Sequence, residues 1–108
     1  MNRIIAMLAL TTIASCAWAA GDAGRGAEKA KQVCAACHGA DGNTPLSPEY
    51  PRIAGQHGDY LYKALRDYKS GTRKNAIMGG QVATLSREEM QDLAAYFSGQ
   101  KGSLGVIR

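Results

Sequence analysis

Cys34-Ala35-Ala36-Cys37-His38 is the stretch that decides the reading of this chain. Two thiols stand three residues apart with a histidine directly behind the second, which is the attachment signature of a c-type haem. Chemistry explains the spacing. Each thiol can add across one vinyl group at the porphyrin edge, and one turn of helix matches the gap between them. The anchor then brings His38 under the ring, where a neutral imidazole is an iron ligand. Two other uses of the pair compete. A redox dithiol wants a βαβ setting, and the sequence has almost no strand pattern. A structural zinc needs four ligands. Beyond residue 19, Cys34, Cys37, His38 and His57 are just enough in number, but Cys37 and His38 are adjacent and fit one small tetrahedron poorly.

Residues 1–19 read as a cleaved export signal: Asn2-Arg3 give a positive start, Ile4 to Ile13 an apolar run, and Ala17-Trp18-Ala19 a small-x-small cleavage site. The run is too short to span a bilayer, and no transmembrane span is expected in the mature chain, residues 20–108. Two alternatives stay open, a retained anchor and a lipoprotein site. In the latter, Ile13-Ala14-Ser15-Cys16 resembles a lipobox and Cys16 carries the lipid. Export and haem attachment agree, because bacterial c-type haem is attached outside the inner membrane. The expected location is the periplasm.

About 89 residues remain after such cleavage, one small domain. Its apolar stock is thin for a self-sufficient core: Val33, Leu46, Ile53, Leu61, Leu65, Ile77, Val82, Leu85, Leu93, Phe97 and few others. A buried haem would supply the missing apolar volume. The net charge of +4 falls to about +3 without Arg3. That mild basicity suits a redox protein partner acidic at its contact surface, and serves solubility equally well. No dense Lys/Arg run is present, so nucleic acid is not expected.

The pattern along the chain predicts an all-α fold of three to four helices wrapped around one covalently attached haem. Asp22 caps a helix running to about Cys34, with Gly26, Ala27, Ala30 and Val33 on a face small enough for another helix to approach. Gly39 to His57 is rich in Gly, Pro, Asn and Ser and reads as loop. Asp59 is the expected cap of a helix from Tyr60 to about Ser70, in which Leu61, Ala64, Leu65 and Tyr68 share one face and Gly71 ends the run. Residues 71–85 read as loop or short helical turns around Met78-Gly79-Gly80. Ser86-Arg87-Glu88-Glu89 is a capping box opening a helix to about Ser98. Its apolar stripe is Met90, Leu93, Ala94 and Phe97. The tail from Gln100 shows no pattern.

A second axial donor to iron must come from elsewhere in the chain. Met78 sits in a Gly-rich stretch where backbone can approach a ring closely. Met90 lies in a helical apolar stripe, the place of a core residue. His57 would make a bis-histidine site of lower potential. Met78 is the expected donor.

With these residues in view, the mature sequence resembles the class I c-type cytochromes, closest to the single-haem domains of the bacterial c4/c553 type. The runs YPRIAGQHGDYLYKALRDYKSGTR and LSREEMQDLAAYF, with Met78 between them, carry the likeness. The resemblance implies the cytochrome c fold, in which N- and C-terminal helices cross, and an electron carrier rather than an enzyme. It implies Cys34 and Cys37 as haem thioethers and His38 and Met78 as axial ligands. It further implies Pro51 as the residue whose carbonyl orients the proximal imidazole, and Gly26 at the helix crossing against Leu93 and Tyr96. Arg52, Arg73 and Lys74 are candidates for the haem propionates, with a solvated basic surface as the alternative. Two other functions stay open: the haem subunit of a larger dehydrogenase, and a haem peroxidase or gas-binding protein with a displaceable distal ligand.

Overall fold

The computed structural model of the 108-residue chain describes residues 21–102 and Leu104. The expected leader over 1–19, the lipid site at Cys16 and residues 105–108 lie outside the described residues. Three long helices and two short ones make up the fold: α1 (Ala23–Val33), α2 (Ala35–His38), α3 (Gly58–Ser70), α4 (Ala76–Val82) and α5 (Arg87–Ser98), with no strand among the described residues. The two short helices account for the excess over the three to four expected, and α2 is a single turn.

Caps explain where the long helices begin. The Asp22 carboxylate accepts from the Arg25 backbone N–H at 2.8 Å and starts α1. Ser86 and Glu89 form a complete reciprocal capping box and start α5. α3 differs from expectation. It starts at Gly58, with His57 at the cap position making no side-chain bond. Asp59 is the second residue of the helix, within its first turn, and accepts from the Tyr60 N–H next to it. Its charge in the first turn still complements the helix dipole.

α1 and α5 cross in close contact at Gly26. A Cβ there would stand 2.0 Å from the Asp92 carbonyl oxygen, so only glycine allows the approach. Buried Asp92 fastens the crossing: its carboxylate accepts from the Asp22 N–H at 2.7 Å and from Arg25 Nε at 3.0 Å. One turn away, Lys29 pairs with Glu89. Beneath lies a small core of Ala30, Val82, Leu85, Met90, Leu93 and Phe97. Leu46 and Ile77, counted among the apolar stock, are 76% and 56% exposed. The tail after α5 turns back onto the long loop, where Asn43 Nδ2 donates to the Lys101 carbonyl and the Gly55 N–H donates to the Phe97 carbonyl.

α3 packs on both α5 and α4, yet it contains no buried residue. Its apolar stripe, Leu61, Leu65 and Tyr68, is only half-buried. An amphipathic helix of a finished core buries its stripe. Here the stripe touches the core on one side and lines a cleft on the other.

Candidate functional site

The site is built on the turn α2. Cys34 closes α1 by donating its N–H to the Ala30 carbonyl, and its own carbonyl accepts from the His38 N–H at 3.0 Å. That turn puts both thiols and the imidazole at one end of the cleft. Burial pushes the Cys34 thiol up to about 11, with the nearby Cys37 adding to the effect, so Cys34 is a neutral thiol at physiological pH. His38 is 7% exposed. Its Nδ1 lies 2.8 Å from the Pro51 carbonyl oxygen. A carbonyl can only accept, so Nδ1 carries a proton, and in the neutral ring Nε2 is the nitrogen with the lone pair. The Tyr50 ring meets the imidazole edge-on at 6.4 Å. The loop bearing Pro51 is held by backbone bonds, Ile53 N–H to the Gly42 carbonyl and Leu46 N–H to the Cys37 carbonyl.

Beyond His38 opens a cleft of about 370 Å³. Leu61, Leu65, Leu93 and Phe97 give it apolar walls, and Met78 stands on the same wall system as Cys34 and His38. A small adjoining cavity shares Cys34, His38, Leu65 and Met78 and adds Cys37 and Ile77. The structure therefore brings Cys34, Cys37, His38 and Met78 around two neighbouring cavities that share part of their lining. Met90 is buried in the core at 4% exposure, away from that lining, and His57 is exposed on the surface. Among the described residues, no three His, Cys, Asp or Glu side chains gather as a metal-ion cluster.

The donor set and the lining fit a covalently held haem. Two thiols stand one turn apart, an imidazole has its proton turned away, a thioether lies on the shared wall, and a half-buried apolar stripe waits for cover. Arg52 and Arg73 also line the cleft, and the Arg73 guanidinium stacks on the Tyr68 ring at 4.8 Å. Lys74 is exposed and outside the lining.

Residues 23–101 match the family described as Cytochrome c. The chain belongs to the cytochrome c family. It is 47% identical over 107 residues to cytochrome c4 of Pseudomonas aeruginosa, covering 98% of this chain and 52% of that one. It is 38% identical to the thiosulfate dehydrogenase electron acceptor of Thiomonas intermedia, over 95% of this chain and 46% of the other. Its fold is similar to that of reduced recombinant cytochrome c4 from Pseudomonas stutzeri, with TM-score 0.71 and 46% identity over 78% of this chain and 48% of that chain. The chain spans about half the length of these relatives. Family membership supports haem c binding and gives the all-α shell its name, the cytochrome c fold. Among the described residues, no helix is long and apolar enough to cross a membrane.

Asn75, Gln56 and Tyr60, for which the sequence suggests no place in the site, also line the cleft, as does Leu104 of the tail. Asn75 had a readable signal: it is a cap-type residue before a helical turn. The two glycines that follow Met78 hid the helix it caps.

Proposed function

We propose that this chain is a periplasmic single-electron carrier holding one haem c through Cys34 and Cys37, with His38 and Met78 as axial donors and Pro51 as the residue that orients His38. One observation carries the reading: His38, with its proton committed to the Pro51 carbonyl, shares its cleft with Met78. When bound, the haem supplies a one-electron Fe(II)/Fe(III) couple whose potential a His/Met ligand pair raises. The chain supplies the rest. Cys34 and Cys37 anchor the group and fix its register against α2. The Pro51 carbonyl holds the imidazole in one tautomer and one orientation and increases its basicity. Leu61, Leu65, Leu93 and Phe97 exclude water. Arg52 and Arg73 provide the cations that carboxylate substituents require. A filled distal position separates a carrier from a peroxidase or gas sensor.

The export-type leader and the family support the periplasmic location. A single Cys-x-x-Cys-His in the sequence supports one haem. A relative named as the electron acceptor of a dehydrogenase favours a redox enzyme as partner, and with it a second reading, in which the chain is the haem subunit of such an assembly. The mild positive charge suits an acidic contact surface on that partner. The test is carbon monoxide added to the reduced holoprotein at neutral pH. An unchanged spectrum is expected. A spectrum that converts fully to a CO complex would replace the carrier reading with a ligand-binding one.

A further inference from the structure

We propose that Asn75 is the positioning residue for Met78: by capping α4 with its side-chain oxygen it holds Met78 on the cleft wall, and so sets how readily a small exogenous ligand takes Met78's place. This rests on the reading of Met78 as the distal donor.

α4 has little stability of its own. It is seven residues long, short of what an isolated helix needs in water, and Gly79-Gly80 sits at its centre, glycine being the poorest helix former after proline. Its packing is lopsided. Val82 at the C-terminal end is its single buried residue, whereas Ile77 in the first turn is 56% exposed. The far end is also tied down. The Leu85 N–H donates to the Val82 carbonyl, and Lys69 of α3 donates to the Leu85 carbonyl. The near end is more exposed, residues 71–77 lying at the surface, and the segment leading into it is tied to α3 through Arg73, whose N–H donates to the Asp67 carbonyl and whose guanidinium stacks on Tyr68.

The first backbone donors of α4 itself end on Asn75. Its Oδ1 accepts from the Ile77 N–H and the Met78 N–H, both at 3.0 Å, and its backbone carbonyl accepts from the Gly79 N–H at 2.8 Å. Three successive donors, with Met78 in the middle, end on one residue. The first turn contains no acidic residue to share the task. Removing the side-chain oxygen frees two of the three donors. Loss of such a cap shifts a local opening equilibrium about fivefold. Met78 leaves the cleft wall more often, and a competing ligand gains in apparent affinity by the same factor.

The experiment titrates oxidised holoprotein with free imidazole and follows the absorption spectrum. Asn75→Ala is expected to lower the imidazole Kd about fivefold and to weaken the sulfur-to-iron charge-transfer band. Asn75→Ser, which keeps an acceptor at the cap, is expected to stay near the parent value. Ser86→Ala removes an equivalent cap from α5. It is expected to lower overall stability while leaving the Kd alone. An unchanged Kd in Asn75→Ala overturns the proposal, as does an equal shift in Ser86→Ala or a failure of Asn75→Ser to restore the parent value. Met78→Ala, run in parallel, separates the two levels. If it leaves imidazole binding unchanged, the assignment of Met78 falls and the role of Asn75 falls with it. If it tightens binding and Asn75→Ala does not, only Asn75 is wrong. Should Asn75→Ala fail to accumulate as holoprotein, Asn75→Gln keeps the amide but moves its oxygen off the two N–H groups, and the same shift is required of it.

Discussion

His38 is followed at once by a backbone conformation that only glycine takes at low cost. Gly39 has φ 85 and ψ 159, and a Cβ built on it would stand 2.5 Å from the Thr44 carbonyl oxygen. This turn sends the chain from α2 into the loop that carries Pro51 back to the imidazole. Gly71, at the end of α3, also has positive φ, but nothing lies within 4 Å of its missing side chain. The two glycines therefore separate conformational strain from collision. Gly71→Ala should cost about 1 kcal/mol from the left-handed backbone alone. Gly39→Ala should cost more, about 1–3 kcal/mol for a conformation reserved for glycine with the collision added, and it should disturb the His38 environment. Denaturant melts of the two holoproteins check the order. Equal costs would mean that the loop gives way freely and that Gly39 does not fix the approach of Pro51.

Elements that carry their own caps were legible in the sequence. Asp22 and the Ser86–Glu89 box name the starts of α1 and α5, and the apolar stripe of α5 names most of the core. α3 was found, but its start was not, because Gly58 opens the helix without a side-chain cap and Asp59 looked like one. The sequence around α4 reads as loop or short turns, because local propensity at Gly79-Gly80 argues against helix, whereas two bonds to the Asn75 side chain and the packing of Val82 and α3 overrule it. The small face at Gly26 is legible from its residues, and the family likeness names Leu93 and Tyr96 as its partners. The ion pairs that fasten it join residues far apart in sequence and had no local signal. Those pairs make a pH prediction. Lys29 and the Ser86 N–H hold the Glu89 carboxyl down to about 2, from an ordinary 4.5. Arg25 and the Asp22 N–H also hold Asp92 below its usual value. A carboxyl whose folded pKa is depressed stabilises the fold above its unfolded pKa, and that contribution disappears as pH falls through the folded value. The α1–α5 crossing should therefore weaken between about pH 4.5 and 2. Glu89→Gln should flatten the fall of Tm across that window. An identical acid profile in the variant would show that other carboxyls govern acid unfolding.

Across the whole molecule, the central cluster of the described core is six buried side chains under one helix crossing, and α3 leaves its apolar stripe only half-buried between that cluster and a cleft. A chain of this size with so little buried is marginal on its own. The Cys34→Ser/Cys37→Ser chain, produced without haem, should show little helix by far-UV circular dichroism. A cooperative thermal transition in that variant would mean that the helices hold without the group that covers α3. The same cleft carries the functional claim. Cys34, Cys37 and His38 were legible because three residue types at fixed spacing say what they bind. Met78 was legible only by comparing its glycine-flanked setting with the helical stripe of Met90 and the loop position of His57. The most direct measurement is the red-edge absorption and the reduction potential of the oxidised holoprotein in parallel with Met78→Ala and Met90→Ala. The account predicts that the weak sulfur-to-iron band persists in the parent and in Met90→Ala, and that it vanishes in Met78→Ala together with a fall in potential, since thioether ligation favours Fe(II). A band and a potential that survive Met78→Ala unchanged would contradict it.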